Sequence, residues 1–290
     1  MRPAVIRGFK RHAAELPAAG LNTLCSPGAW DDSSLVRAMR RMLPYYVDAF
    51  PTYPAELQHR KHWEFAQLEV GLDRLGALSP DATIISVGAG REELVFDLTN
   101  FVRWVFATDI YGSGNFSDLE AEAGMLIDPD ACARCAYRRN RLVVQYMDAL
   151  DLRHEDETFD AAVSASSIEH FGGLDGAIDS LREMARVVRR GGVVALTTEC
   201  IVNGAPRWTE PGLELFTPRD LGRLASAVHD LELVEPLDTD PSGLRDLPVI
   251  PLSRAVSDAA RGHVDYPHIV LELNGRQWTS LSMFFRKRAA

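Results

Sequence analysis

From residue 82 onward the chain repeats one device, a short apolar run followed by a segment with apolar residues at helical spacing. Ala82-Thr83-Ile84-Ile85-Ser86-Val87 reads as a buried strand ended by Gly88-Ala89-Gly90, and residues 91–99 read as a helix. Val105-Phe106-Ala107 is a second strand stopped by Thr108-Asp109, Leu142-Val143-Val144 a third, and residues 159–163 a fourth. Leu174, Ile178, Leu181, Ala185 and Val188 then mark a helix that Gly191-Gly192 should end, before a fifth strand at Val193-Val194-Ala195-Leu196. Strands separated by helices cannot close as hairpins; they need crossovers, which make the sheet parallel and put helices on its faces. The fold class is therefore α/β and Rossmann-like. The tail departs from this rhythm. Leu231-Glu232-Leu233-Val234 reads as a sixth strand, and residues 268–273 and 278–285 flank Asn274-Gly275, a hairpin turn signal that predicts antiparallel C-terminal members.

Residues 1–80 lack the alternation and are expected to form an N-terminal helical cap, with a second domain over 81–290. Asp31-Asp32-Ser33 are capping residues for one helix. Trp63, Phe65, Leu68, Val70, Leu72, Leu75 and Leu78 give a second, over about 61–78, a broad apolar face. Prolines and aromatics between residues 43 and 54 read as turns. Residues 237–266 carry scattered Pro, Asp and Gly without period and are expected to be an inserted loop or lid.

With 46% apolar residues among 290, the chain is no disordered segment, and no apolar run is long enough to span a bilayer. A formal charge of -10 opposes nucleic acid and anionic lipid, so the expected partner is a small-molecule acceptor, with no nucleic acid and no membrane. The four cysteines do not make a disulfide scaffold, and no signal-peptide core is visible, so a reducing, cytoplasmic setting is expected. Cys132 and Cys135 have the spacing of half a zinc site but no second pair, so no metal is expected.

In an open parallel sheet, ligands bind beyond the carboxyl ends of the strands where strand order reverses. Gly88-Ala89-Gly90 lets the backbone turn sharply and approach a ligand there. Asp109, ending the second strand beside Ile110, can accept both hydroxyls of a ribose. A dinucleotide fingerprint needs a third glycine where Glu93 stands. Glu92 and Glu93 would also repel a diphosphate, whereas a ligand carrying a sulfonium and an ammonium meets no such penalty. The charge pattern thus favours S-adenosylmethionine over a nicotinamide dinucleotide. After strand three, Met147-Asp148-Ala149 offers a carboxylate to an adenine amino group. Strand four ends in Ser164-Ala165-Ser166-Ser167, placing small residues beside the ligand, with the ionisable pair Glu169-His170 just beyond.

In order and spacing, Val87-Gly88-Ala89-Gly90, Asp109, Asp148-Ala149, Phe159-Asp160 with Glu169-His170, and Arg186 to Gly192 resemble class I S-adenosylmethionine-dependent methyltransferases, most closely the type 11 branch. The resemblance covers about residues 80–200 and, weakly, the C-terminal strands. It implies a seven-stranded sheet whose last strand is antiparallel, with the glycine loop around the cofactor's methionine part. It also implies Asp109 on the ribose and Asp148 on the adenine. The implied cofactor set is Gly88, Ala89, Gly90, Asp109, Ile110, Met147, Asp148, Ala149, Ser164 and Ala165. Two departures stand out: Ser86 occupies the place of an acid before the glycine loop, and Glu92 replaces a third glycine. Glu92 or Glu93 could then hold the cofactor's amino group, and the sequence does not choose between them.

Methyl transfer from a sulfonium is an in-line displacement, in which orientation alone can supply up to roughly 7–11 kcal/mol. For a hydroxyl acceptor a base adds about 10²- to 10⁴-fold, and His170 is the candidate, with Glu169 orienting the substrate. Glu169-His170-Phe171-Gly172 is also similar to a segment of cyclopropane fatty acid synthases. Lys61, Trp63 and Glu64 open the second cap helix, with Tyr45, Tyr46 and Tyr53 before it, and aromatic rings near a sulfonium can add cation–π attraction. Thr197 to Cys200 after strand five, and Asn203, are candidates for the acceptor pocket. The expected function is O-methylation of a small molecule. The stretch 166–173 is similar to methyltransferases of bacterial saccharide modification. The alternatives are an NAD-dependent oxidoreductase and a cofactor-binding protein without turnover.

Overall fold

The structure, a computed structural model, describes residues 20–210, 212–259 and 264–289. The first 19 residues of the expected cap and residues 260–263 of the expected insertion lie outside these. Three helices come first: α1 (Ser33–Met42), α2 (Pro44–Ala49) and α3 (Arg60–Arg74). The alternation then runs β1 (Thr83–Val87), α4 (Glu93–Leu98) and β2 (Trp104–Asp109). The one-turn helices α5 (Gly124–Ile127) and α6 (Pro129–Cys132) precede β3 (Leu142–Tyr146). Next come β4 (Phe159–Ala165), α7 (Gly173–Val187) and β5 (Val188–Ile201). A small hairpin, β6 (Trp208–Glu210) and β7 (Leu213–Leu215), leads to α8 (Pro218–Ser226) and β8 (Leu231–Leu233). The chain closes with β9 (Val249–Pro251), α9 (Leu252–Ala259), β10 (Val270–Leu273) and β11 (Arg276–Lys287).

The main sheet runs β3-β2-β1-β4-β5-β11-β10-β9, with β8 also paired to β11. The first five strands are mutually parallel. β11 is antiparallel to β5, β8 and β10. Strand order reverses at β1, whose neighbours are β2 on one side and β4 on the other, so a crevice opens at the carboxyl ends of β1 and β4. Among the described residues the sheet has nine strands where seven were expected, because β9 and β10 extend the far edge. β9 lies inside the segment expected to be irregular. Three residues ending in proline are too short to show a period, and proline is tolerated at a sheet edge. Asn274 and Gly275 take positive φ of 50° and 79°, as the tight turn between β10 and β11 requires. Among the described residues no helix is long and apolar enough to cross a membrane.

Two local expectations fail for identifiable reasons. Residues 44–49 form a helix rather than a turn, since Pro44 sits in its first turn, where its missing N–H costs nothing. Gly191-Gly192 does not end α7; that helix stops at Val187, and the glycines lie inside β5 opposite a register shift in β4. A Cβ on Gly192 would stand 2.6 Å from the Asp160 carbonyl, so close strand approach accounts for that glycine.

Helix α3 joins the N-terminal helices to the sheet. Its start is capped by His59, whose ring accepts from the Lys61 N–H. Its end is fixed by Gly76 at φ 72°, with Ala77 N–H bonding the Leu72 carbonyl and Gly76 N–H the Asp73 carbonyl, a Schellman closure. Almost every residue from Arg60 to Leu72 is buried, because α3 packs on β5 and β11 on one side and on α1 and α4 on the other. Arg41 of α1 bonds both oxygens of buried Asp97 in α4, at 3.0 and 3.2 Å, and also pairs with Glu69 of α3. Leu35, Met39, Trp63 and Leu68 share one hydrophobic core with Ile84, Val163 and Phe284.

The closest approach of α3 to the sheet is at Gly71, where a Cβ would overlap the Phe284 ring. Gly71→Ala is expected to lower unfolding free energy by roughly 1–3 kcal/mol in urea titration, despite alanine's better helix propensity. An increase in stability would show that the helix can lift without loss.

Candidate active site

The carboxyl ends of β1, β2, β4 and β5 and the start of α3 enclose a cavity of about 660 Å³, within the usual range for small-molecule sites. Its floor is the loop after β1. Gly88 and Gly90 take φ of 65° and 48°, and a Cβ on Gly88 would stand 2.6 Å from Ser167 Cβ, so a side chain is excluded twice over. Ser167 Oγ donates to the Gly88 carbonyl at 2.7 Å and Tyr111 Oη to the Gly90 carbonyl at 2.8 Å. The N–H groups of Gly90 and Ile110 donate to Asp109 Oδ2 and Oδ1 at 2.9 and 2.7 Å. Burial raises the Asp109 pKa, and these two N–H groups oppose it. Each oxygen retains a lone pair, so the carboxylate is oriented and still able to accept.

The opposite wall is a buried charge network. Glu64 on α3 is fully enclosed and meets Arg60 Nη1 at 3.0 Å and Lys61 Nζ at 3.1 Å. It also accepts from Ser166 Oγ at 2.7 Å and from Ser280 Oγ. Although burial opposes it, Lys61 and Arg60 hold the Glu64 carboxyl below its ordinary value. Arg60 also reaches Glu199 Oε1 at 2.7 Å, leaving Glu199 Oε2 buried without a partner. Ser166 holds φ 46°, rare for a non-glycine residue, and directs its hydroxyl to Glu64.

Glu169 and His170 follow in a short 3₁₀ turn. Glu169 accepts from Thr198 Oγ1 at 2.8 Å; burial, with Glu199 close by, pushes its carboxyl up to about 8. The ring of His170 lies 4.6 Å from that of Phe116, and its Nδ1 meets the Gly212 carbonyl. A carbonyl only accepts, so Nδ1 carries the proton and Nε2 keeps a free lone pair. Burial lowers the His170 pKa, against the pull of that carbonyl.

Of the sequence-predicted residues, Gly88, Gly90, Asp109, Ile110, Glu169 and His170 come together on the cavity wall. Ala89, Met147, Asp148, Ala149, Ser164 and Ala165 do not reach it. Ala89 is enclosed in the turn, and Ser164 and Ala165 still belong to β4, so Ser166 and Ser167 line the wall in their place. Met147 N–H bonds the Asp109 carbonyl, which sets the 147–149 turn alongside, but Asp148 is exposed and its Oδ1 accepts from Leu150 N–H. Glu199 was a candidate for the acceptor pocket, but Arg60 was missed; its one signal was the i,i+4 pairing with Glu64 at the start of the helix. Phe116, Gly212 and Leu252 also line the wall and sit in segments without a period. Cys132 Sγ faces Glu122 Oε1 at 3.6 Å and Cys135 Sγ the Glu93 carbonyl at 3.8 Å. Among the described residues, no three His, Cys, Asp or Glu side chains gather as metal ligands.

Beside the network, three imidazoles stack at the start of α3. His59 lies 4.2 Å from His268 and 4.8 Å from His62, and Tyr53 Oη pairs with His62 Nδ1 at 3.0 Å. Burial, with repulsion from one another and nearby cations, holds His59 far below its ordinary value, His62 at about 3 and His268 at about 4.

A family model described as a methyltransferase domain matches residues 111–196. Among solved structures, the 4+2 cyclase SpnF aligns at 16% identity and a TM-score of 0.51, covering 89% of this chain and 97% of that one. The YcgJ protein of Bacillus subtilis aligns at 16% identity and 0.47, covering 77% and 99%. Geranyl diphosphate C-methyltransferase of Streptomyces coelicolor aligns at 17% and 0.47, covering 78% and 80%. The cyclase shows a shared fold under a different reaction, so the chemistry has to be argued from the site.

The stacked histidines are neutral in the folded protein but take up protons near pH 6.5 in the unfolded chain. Their contribution is complete above pH 6.5 and is lost as pH falls toward the depressed folded values. His59→Asn keeps a helix-capping acceptor. Below pH 6.5 the variant should gain on the parent by about 1.4 kcal/mol per pH unit in urea unfolding. Parallel curves down to pH 5 would sink this account.

Proposed function

We propose that the chain is a class I S-adenosylmethionine-dependent methyltransferase that methylates a hydroxyl oxygen of a small, saccharide-like acceptor. The residues present suit this cofactor. A clear glycine loop, an oriented carboxylate with free lone pairs and an unpartnered buried Glu92 oxygen match a ribose diol and a cationic tail. The same Glu92 would oppose the diphosphate of a nicotinamide dinucleotide. When bound, the cofactor supplies an electrophilic methyl group on a cationic sulfur.

Gly88, Ala89 and Gly90 give the ligand close backbone approach, Asp109 accepts from the ribose hydroxyls, and Ile110 faces the adenine. Met147, Asp148 and Ala149 form the turn beside Asp109, tied to it by the Met147 N–H bond to the Asp109 carbonyl, and Ser164 and Ala165 act through Ser166 and Ser167, which follow them. On the acceptor side, His170 Nε2 takes the hydroxyl proton, its ring held by the Gly212 carbonyl and Phe116. Glu169 carries its own proton at neutral pH and can donate, whereas Glu199 Oε2 can accept. A donor and an acceptor side by side suit hydroxyl groups, which do both. Trp278 and Leu252, the latter from the 237–266 segment, give an apolar wall for the face of a ring. The single observation that carries the reading is the neutral His170 imidazole, its Nδ1–H tied to a carbonyl and Nε2 left for the acceptor.

Two measurements test it. Asp109→Ala should weaken S-adenosylhomocysteine binding at least about tenfold by calorimetry, as expected when a charged hydrogen-bond acceptor is lost. His170→Ala should leave that affinity within about twofold while slowing labelled-methyl transfer to a panel of sugars and glycoconjugates about a hundredfold or more. Undiminished transfer would remove His170 from the role of base.

A further inference from the structure

Among the cavity's carboxylates, Glu92 is the one whose enclosed oxygen stands beside the glycine loop with no donor. Its Oε2 is shut from solvent and makes no hydrogen bond. The others are engaged or exposed. Asp109 accepts from two N–H groups, Glu93 Oε1 from Tyr45 Oη at 2.9 Å, Glu169 from Thr198, and Glu199 from Arg60. Glu120 is exposed. Ser86 is 1% exposed, lies off the cavity wall and offers a neutral hydroxyl that has no partner of its own. Lys61, which pairs with Glu64 yet stays partly exposed, reaches Glu92 electrostatically from the facing helix.

We propose that Glu92 binds the α-ammonium group of the cofactor's amino-acid end, with Lys61 facing the α-carboxylate. Both side chains line the cavity, and a carboxylate and an ammonium there present the reverse of a zwitterion's charges. The inference rests on the cofactor reading above and adds which residues hold the amino-acid end. Ser86 cannot do so: it is neutral and does not line the cavity, whereas Glu92 does.

Burial raises the Glu92 pKa; Lys61 opposes this, while Glu64, Glu93 and Asp109 add to it, and Tyr111 stands close on the same side.

The experiment is titration calorimetry on the full chain with two probes, S-adenosylhomocysteine and 5′-methylthioadenosine, which lacks the amino-acid end. Glu92→Gln should raise the Kd of the first about ten- to a hundredfold and leave the second within about twofold, which also certifies the folded site. Glu92→Ala should repeat the pattern. Equal loss for both probes, or loss for neither, overturns the assignment of Glu92 and leaves the cofactor reading intact. A parent protein that binds neither probe overturns the cofactor reading and this assignment with it.

Discussion

The carboxylate of Glu64 has no contact with solvent, yet four side chains from three elements converge on it. Arg60 and Lys61 come from its own helix, Ser166 from the end of β4 and Ser280 from β11. An isolated buried charge would be costly, and such pairs add little net stability because desolvation cancels much of their attraction. They do fix geometry, since a slip of α3 by one turn would strand a charge in the core. Arg60 and Lys61 are thereby held at the mouth of the crevice, and Ser166 is held in its positive-φ turn. Helix α3 forms one wall of the cavity because this one group ties its start to the strand ends.

The same network separates the behaviour of neighbouring acids. Glu64 is held ionised by two cations, whereas Glu169, equally buried and close to Glu199, keeps its proton to about 8. Divergent proton affinities among adjacent acids allow donor and acceptor roles to coexist in one small space. The negative balance of the chain continues on the wall, where Glu92 and Asp109 have no cation paired to them, and that field suits a cationic ligand.

The parallel core was legible because each strand is a run of apolar residues ended by glycine, aspartate or serine, and each helix repeats its apolar residues at helical spacing. Asp109, Gly88 and Gly90 were legible for the same reason, standing at strand ends where the topology leaves a crevice. The far edge was not, since a three-residue strand such as Val249–Pro251 carries no period. Nor was Gly192 as a site of close strand approach, because a glycine pair reads alike whether it ends a helix or admits a neighbouring carbonyl. Ser164 and Ala165 were placed two residues too early, a boundary error that moves a side chain from the cavity into the sheet. Arg60 escaped because its role depends on Glu199, distant in sequence and joined to it only by packing.

Under the proposed assignment, Ser86 and Glu92, the two departures from the expected glycine-loop pattern, compensate one another. A serine at the strand end removes a charge from the crevice, and a glutamate two residues beyond Gly90 restores it on the other side of the loop. Glycine at 92 would free the backbone but leave the loop without that carboxylate. The φ of Glu92 is -68°, ordinary for any residue, so the backbone here does not need glycine. Sharp turning is confined to Gly88 and Gly90, which leaves position 92 free to carry a side chain back toward the ligand.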